Sequence, residues 1–223
     1  MRALAKSLLA AAVATAFAAP AIAADSVQFL DYANGSEQVT YTLNYGGTGN
    51  VSGTANAGGF LTKLNDGPSF VSYCIDLYQN ISIPATYTDY TLANPFTFKN
   101  PNGQNAIGRF LAENHATNSS VLSAAFQVAI WELMYETDRG AYSLTSGTAS
   151  FSSTNAAVLT TAQGWIDVLD AASTPFSVYQ SPTHQDILVT PVPEPETYAL
   201  MAAGLGALGW VARRRKAKDA AKA

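Results

Sequence analysis

The hydrophobic pattern of this 223-residue chain changes period twice, and that change bounds its architecture more tightly than any single motif. Residues 26–45 alternate in the strand manner, with Val39, Tyr41, Leu43 and Tyr45 two apart. Residues 46–59 are rich in Gly, Asn, Ser and Thr and read as a hairpin or mobile loop. Residues 70–78 form an apolar run of strand length. Residues 87–92 are a weaker strand, ended by Asn94 and Pro95. The spacing then becomes helical. Ile107, Phe110 and Leu111 mark a helix over 105–113, and Ser119 or Ser120 caps a longer one running to about Glu136. Its apolar positions are Leu122, Ala125, Phe126, Ala129, Ile130, Leu133 and Met134. Thr154 or Asn155 caps a third helix to about Ala171, with Val158, Ala162, Trp165, Ile166 and Leu169 inward. Strands return at 176–180 and 185–190. Strands, then helices, then strands predict an α+β fold: a β-sandwich or barrel-like subdomain with a helical insertion.

Composition excludes several function classes. Charged residues are 13% of the chain, about half the usual ~25%, yet aromatics reach 11%, so the chain is not a disordered one. A net charge of −4 argues against a nucleic-acid partner. One cysteine and two histidines exclude an internal disulfide and leave little for a metal centre. Neither a metal nor a cofactor is expected. The reading for a secreted hydrolase is weak, because no Gly-x-Ser-x-Gly elbow and no His-Glu-x-x-His motif occurs.

Both ends read as addresses. Residues 1–23 have a basic start (Arg2, Lys6), an Ala/Leu-rich run over 7–19, and small residues at Ala21 and Ala23. They predict a signal peptide cut by signal peptidase after Ala23. Near the other end, Pro193, Glu194 and Pro195 make a rigid, extended tripeptide. An uncharged run over 197–212 follows, then the basic block Arg213, Arg214, Arg215 and Lys216. As a helix the apolar run reaches about 24 Å, just short of a ~30 Å hydrocarbon core. The basic block would stay cytoplasmic and leave the main domain outside. The three parts together resemble the PEP-CTERM sorting signal of Gram-negative bacteria that make exopolysaccharide. That resemblance implies transient anchoring in the inner membrane, cleavage near Pro193-Glu194-Pro195 by an exosortase, and delivery to the cell surface or extracellular matrix. Between the ends, residues 24–192 hold nine Asp, four Glu, two Lys and two Arg, a net charge of −9. The expected division is thus 1–23 signal peptide, 24–190 folded domain, and 191–223 sorting and anchor segment.

Three short segments of the core stand out chemically. The first is Tyr73-Cys74-Ile75-Asp76-Leu77, with an unpaired thiol in an exported chain. A small buried hydrophobe is its plain reading. The second is Phe126-Gln127-Val128-Ala129-Ile130-Trp131, where a glutamine lies beside an apolar stripe and needs partners if it is buried. The third is His184-Gln185-Asp186-Ile187-Leu188, a polar turn opening the last strand.

In this order the segments resemble the bacterial thioester domain family, surface adhesins that form an internal bond between a Cys thiol and a Gln carboxamide. The matching pieces are Tyr73-Cys74-Ile75, Gln127-Val128-Ala129-Ile130-Trp131 and Gln185-Asp186-Ile187-Leu188. Phe126 stands where that family usually has Thr, and His184 where it usually has an apolar residue. The resemblance implies a bond from Cys74 Sγ to the side-chain carbonyl carbon of Gln185, with Gln127 and Trp131 supporting the site. Gln127 remains the alternative acyl donor. A thiol is the nucleophile such chemistry needs, and a primary carboxamide becomes the activated acyl group. An incoming lysine amine must lose a proton. His184 is one candidate to take it. Asp76 should share the strand face of Cys74 and either polarise the site or bind a nearby backbone N–H.

Two functions follow as expectations. In the first, the chain is a surface-sorted adhesin or cross-linker that couples covalently to amines of a surface or matrix partner. It is consumed in the act, so it is not an enzyme. In the second, it is a non-reactive structural protein of the cell surface or exopolysaccharide matrix, with Cys74 a free thiol.

Overall fold

The structure, a computed structural model, describes residues 25–45, 49–93, 96–137, 142–169 and 172–190, together with Leu205. The expected signal peptide lies outside these residues, as do Pro193, Glu194, Pro195 and the basic block from Arg213 to Lys216. Among the described residues no helix is long and apolar enough to cross a membrane.

Among the described residues, nine strands and three helices form one mixed assembly around a single core. β1 (Asp25–Tyr32), β4 (Phe60–Leu64), β5 (Phe70–Cys74), β6 (Ala85–Ala93), β8 (Ser177–Gln180) and β9 (Ile187–Val189) close an antiparallel barrel in the order β1-β4-β5-β9-β8-β6. Closure leaves this sheet without exposed edges. β2 (Glu37–Leu43), β3 (Val51–Ala57) and β7 (Ala149–Ser153) make a second sheet in the order β3-β2-β7. The helices α1 (Gly103–Ala112), α2 (Ser120–Tyr135) and α3 (Ala156–Ile166) lie between β6 and β8 in sequence, as the helical insertion anticipated.

The structure corrects the sequence reading in three places and decides a fourth. Of hairpin and mobile loop, the two readings of the Gly/Asn/Ser/Thr-rich stretch, the hairpin holds: the stretch contains a strand, β3, fully paired with β2 from Glu37↔Ala57 to Leu43↔Val51. Its small polar residues suit a strand with one face toward solvent, and the cross-strand partner supplies the bulk. Tyr41 lies across Gly53, where an added Cβ would stand 2.8 Å from the Tyr41 hydroxyl. A strand over 149–153 had no sequence signal of its own and exists because β2 offers it a second edge. The run over 70–78 stops being strand at Cys74, so Asp76 lies in the following loop rather than on the strand face of Cys74. The last strand starts at Ile187, which leaves His184 and Gln185 in the turn before it.

α2 is the centre of the molecule. Ser119 caps it by accepting from the Leu122 N–H. Every residue from 123 to 135 is buried. A helix apolar all round belongs inside a core, and α2 packs on α1, α3, β2, β3, β5 and β7. Three polar residues go inside with it, Ser123, Gln127 and Glu132, the last two without exposure. Glu132 Oε1 accepts from the Ser143 N–H at 2.8 Å, and Oε2 has no hydrogen-bond partner among the described residues. Burial pushes this carboxyl from 4.5 up to about 8, against the pull of the Ser143 N–H and with a further push from Glu136.

The folded chain therefore keeps a proton on Glu132 that the unfolded chain releases. Stability falls as pH rises from about 4.5 to about 8, and the loss is complete above the upper value. Urea midpoints measured across pH 5–8 should decline more steeply for the wild type than for Glu132→Gln, which keeps the acceptor and cannot ionise. Parallel curves would show that Glu132 does not titrate in this window.

Candidate functional site

The site is built where β5 ends against α2. Gln127 turns its carboxamide onto the peptide groups of Cys74. Its Oε1 accepts from the Cys74 N–H at 2.9 Å, and its Nε2 donates to the Cys74 carbonyl at 2.7 Å. The side chain thus does for Cys74 what a neighbouring strand would do. One and two helical turns later, Trp131 and Tyr135 face the same segment, as a spacing of four requires. The Tyr135 hydroxyl donates to the Ile75 carbonyl at 3.0 Å and accepts from the Leu77 N–H at 2.9 Å. From the second sheet, the Tyr41 hydroxyl donates to the Leu77 carbonyl at 3.0 Å. The ring reaches that far because Gly53 lets it cross β3. The loop from Cys74 to Leu77 is irregular, yet the backbone groups of Cys74, Ile75 and Leu77 and the Asp76 carbonyl all find partners.

β9 approaches from the other side. Cys74 pairs with Ile187, and the ladder continues one step further, with Ile75 N–H donating to the Asp186 carbonyl at 3.0 Å. Gln185 lies two residues before Ile187, in the turn that leads into β9. Tyr90 anchors the Gln185 backbone by donating to its carbonyl at 2.7 Å. The Gln185 carboxamide, in contrast, has no hydrogen-bond partner among the described residues, although the residue is only 9% exposed.

Cys74, Gln185 and Trp131 line one cavity of about 220 Å³. Tyr32, Tyr41, Asn56 and Asn80 contribute its polar walls. Cys74 is buried and free, and its S–H donates to the Asp76 carbonyl at 3.0 Å. Burial pushes the thiol up to about 12. Contact with the Trp131 indole and with the Asp76 backbone favours the thiolate, and the carboxylates of Asp76 and Asp186 oppose it. Burial also raises Asp76, against backbone N–H groups that pull it down. The Asp76 carboxylate accepts from the Tyr78 N–H at 2.7 Å, the second of the two roles expected for it. Among the described residues no cluster of His, Cys, Asp or Glu is arranged to hold a metal.

His184 is sequence-adjacent to Gln185 but is not among the residues lining this cavity. Its ring packs on Tyr87 at 3.9 Å, and its Nδ1 lies 3.2 Å from Asp89 Oδ2 and 3.2 Å from Ser181 Oγ. Asp89 also accepts from the hydroxyls of Ser181 and Thr183. A Ser-His-Asp relay needs the acid and the serine on opposite ring nitrogens. Here both meet Nδ1, so the cluster ties down the turn that carries Gln185. Sequence reasoning missed Tyr41, Tyr90, Tyr135 and Asp89. Only Tyr135 had a legible signal, its place four residues beyond Trp131.

Comparison with known proteins adds one finding. Residues 191–216 match the PEP-CTERM protein-sorting motif. The motif indicates an exported protein that is processed by an exosortase and sorted through the membrane for surface display. No curated protein and no solved structure matches the chain.

Replacing Gln127 tests the clamp directly. Gln127→Leu keeps the volume but strips partners from two buried backbone groups, each costing about 1–3 kcal/mol. Urea unfolding should show a loss of at least about 2 kcal/mol. A loss under about 0.5 kcal/mol would mean that water or a shifted backbone replaces the carboxamide.

Proposed function

We propose that this exported, exosortase-sorted protein carries an internal thioester between Cys74 Sγ and the side-chain carbonyl carbon of Gln185, and uses it for covalent attachment to amines of a surface or matrix partner. The observation that supports the reading is that Cys74 and Gln185 line one cavity, where β5 ends beside the turn into β9, with the Gln185 carboxamide unengaged. Gln127 is the poorer acyl donor, because both ends of its carboxamide already hold the Cys74 backbone.

In the forming step, Sγ attacks the Gln185 carbonyl carbon. The thiol proton leaves with the carboxamide nitrogen as ammonia. Buried walls slow hydrolysis of the product by limiting water. In the coupling step, a neutral amine attacks the same carbon, the C–S bond breaks, and the amine proton ends on Cys74 Sγ. An amide remains. Each molecule reacts once, so the protein is a single-use cross-linker and not an enzyme. The resemblance to thioester adhesins in the three core segments points the same way.

Intact mass is the test. The purified protein should be lighter than its sequence by about 17 Da, the ammonia lost on acyl activation. Methylamine should then add about 31 Da, with the adduct mapped to Gln185 and absent from Cys74→Ala. A full sequence mass, with Cys74 titrating as a thiol in denaturant, overturns the reading and leaves a non-reactive structural protein of the surface or matrix. An adduct on Gln127 overturns the assignment of the acyl donor.

A further inference from the structure

Trp131 is 1% exposed, and its indole N–H has no hydrogen-bond partner among the described residues. Such a group is costly to bury, and a native structure that keeps one usually has a use for it. The indole lines the cavity that holds Cys74 and Gln185. Its ring lies parallel to that of Phe151, with centroids 6.3 Å apart and planes 14° apart. The α2 spacing puts it one turn beyond the Gln127 clamp, on the face turned to Cys74.

The sulfur needs what this group offers. It must carry negative charge twice, once as it attacks Gln185 and once as an amine expels it. The cavity walls are apolar or neutral, and the nearest carboxylates, Asp76 and Asp186, repel that charge. Of the side chains acting on the Cys74 thiol, Trp131 favours the charged form. In the resting state the indole N–H completes no hydrogen bond, and the Cys74 S–H is directed to the Asp76 carbonyl. A donor that bonds fully only when charge develops lowers the barrier without stabilising the ground state.

Resting on the thioester reading, we propose that the Trp131 indole N–H is the hydrogen-bond donor to Cys74 Sγ in both steps, and sets the rate at which the bond forms and is opened. No atom of Trp131 is transferred. The proton stays on Nε1 throughout, and the thiolate takes its proton from the attacking amine.

The test uses the wild type, Trp131→Phe and Phe151→Leu, with methylamine as the amine and mass as the readout. Trp131→Phe keeps a flat ring against Phe151 and loses the donor together with part of the ring volume, which lowers the thermal midpoint. Methylamine coupling should slow about tenfold, the effect of one charge-assisted hydrogen bond. Phe151→Leu loosens the ring and keeps the N–H, and it should couple within about twofold of the wild type. Equal rates for Trp131→Phe and the wild type overturn the proposal, as does an equal slowing in Phe151→Leu, which would make the ring a packing element. A measurement without substitution guards against a variant that does not fold. In indole-15N-labelled wild type, the Trp131 signal should move when methylamine converts the thioester to the thiol, and a stationary signal overturns the proposal. Wild type that never gains the methylamine adduct refutes the thioester itself. That result is distinct from a wild type that reacts while Trp131→Phe reacts equally fast.

Discussion

The arrangement of this protein depends on two hydrogen bonds made by one side chain. Gln127 leaves a wholly buried helix and closes on both peptide groups of Cys74. A strand that ends inside a protein must find partners for its last N–H and C=O. β5 ends at Cys74 and finds both in Gln127. Since α2 also supports the second sheet and the other two helices, the same bonds couple the barrel to everything outside it. Tyr135 and Tyr41 extend the logic to Ile75 and Leu77.

That rigidity has a chemical consequence. A thiol on a mobile loop meets every neighbour in turn, whereas Cys74 is held by its backbone, and only χ1 is left to choose where Sγ points. The turn into β9 brings Gln185 to the same cavity. Tyr90 and the Asp89 cluster hold the Gln185 turn from behind, through its backbone and its neighbours, without engaging the carboxamide. The two glutamines of the site therefore differ in kind. One is saturated and structural, and the other is enclosed and unengaged.

Much of the fold was legible in the chain. The three helices start near their expected residues, because Ser119 and Asn155 are cap formers and the apolar positions recur at three and four. The alternation of Val39, Tyr41 and Leu43 marked β2 correctly. β3 was legible only as one of two readings, hairpin or loop, because its pattern of Ser, Gly, Thr and Asn is that of a loop until a tyrosine on the neighbouring strand covers it. The end of β5 was not legible. Ile75, Asp76 and Leu77 look like strand, and what turns the chain there is the set of hydroxyls that answer its backbone. In the site, Cys74, Gln127, Trp131 and Gln185 could be singled out by type and spacing. The remoteness of His184 from the cavity, though it adjoins Gln185, could not.

The sequence by itself determined the class of structure, the helix starts and the sorting motif, because each depends on residues close together along the chain. Periodicity, capping and the Pro-Glu-Pro to basic-block order are all local. Tertiary structure alone decided which glutamine is bound and which is unengaged, which carboxylates crowd the thiol, and which nitrogen of His184 is occupied. Those depend on register between strands more than a hundred residues apart. One residue of slip in β9 would turn Ile187 to the opposite face of the barrel wall and shift the turn that carries Gln185.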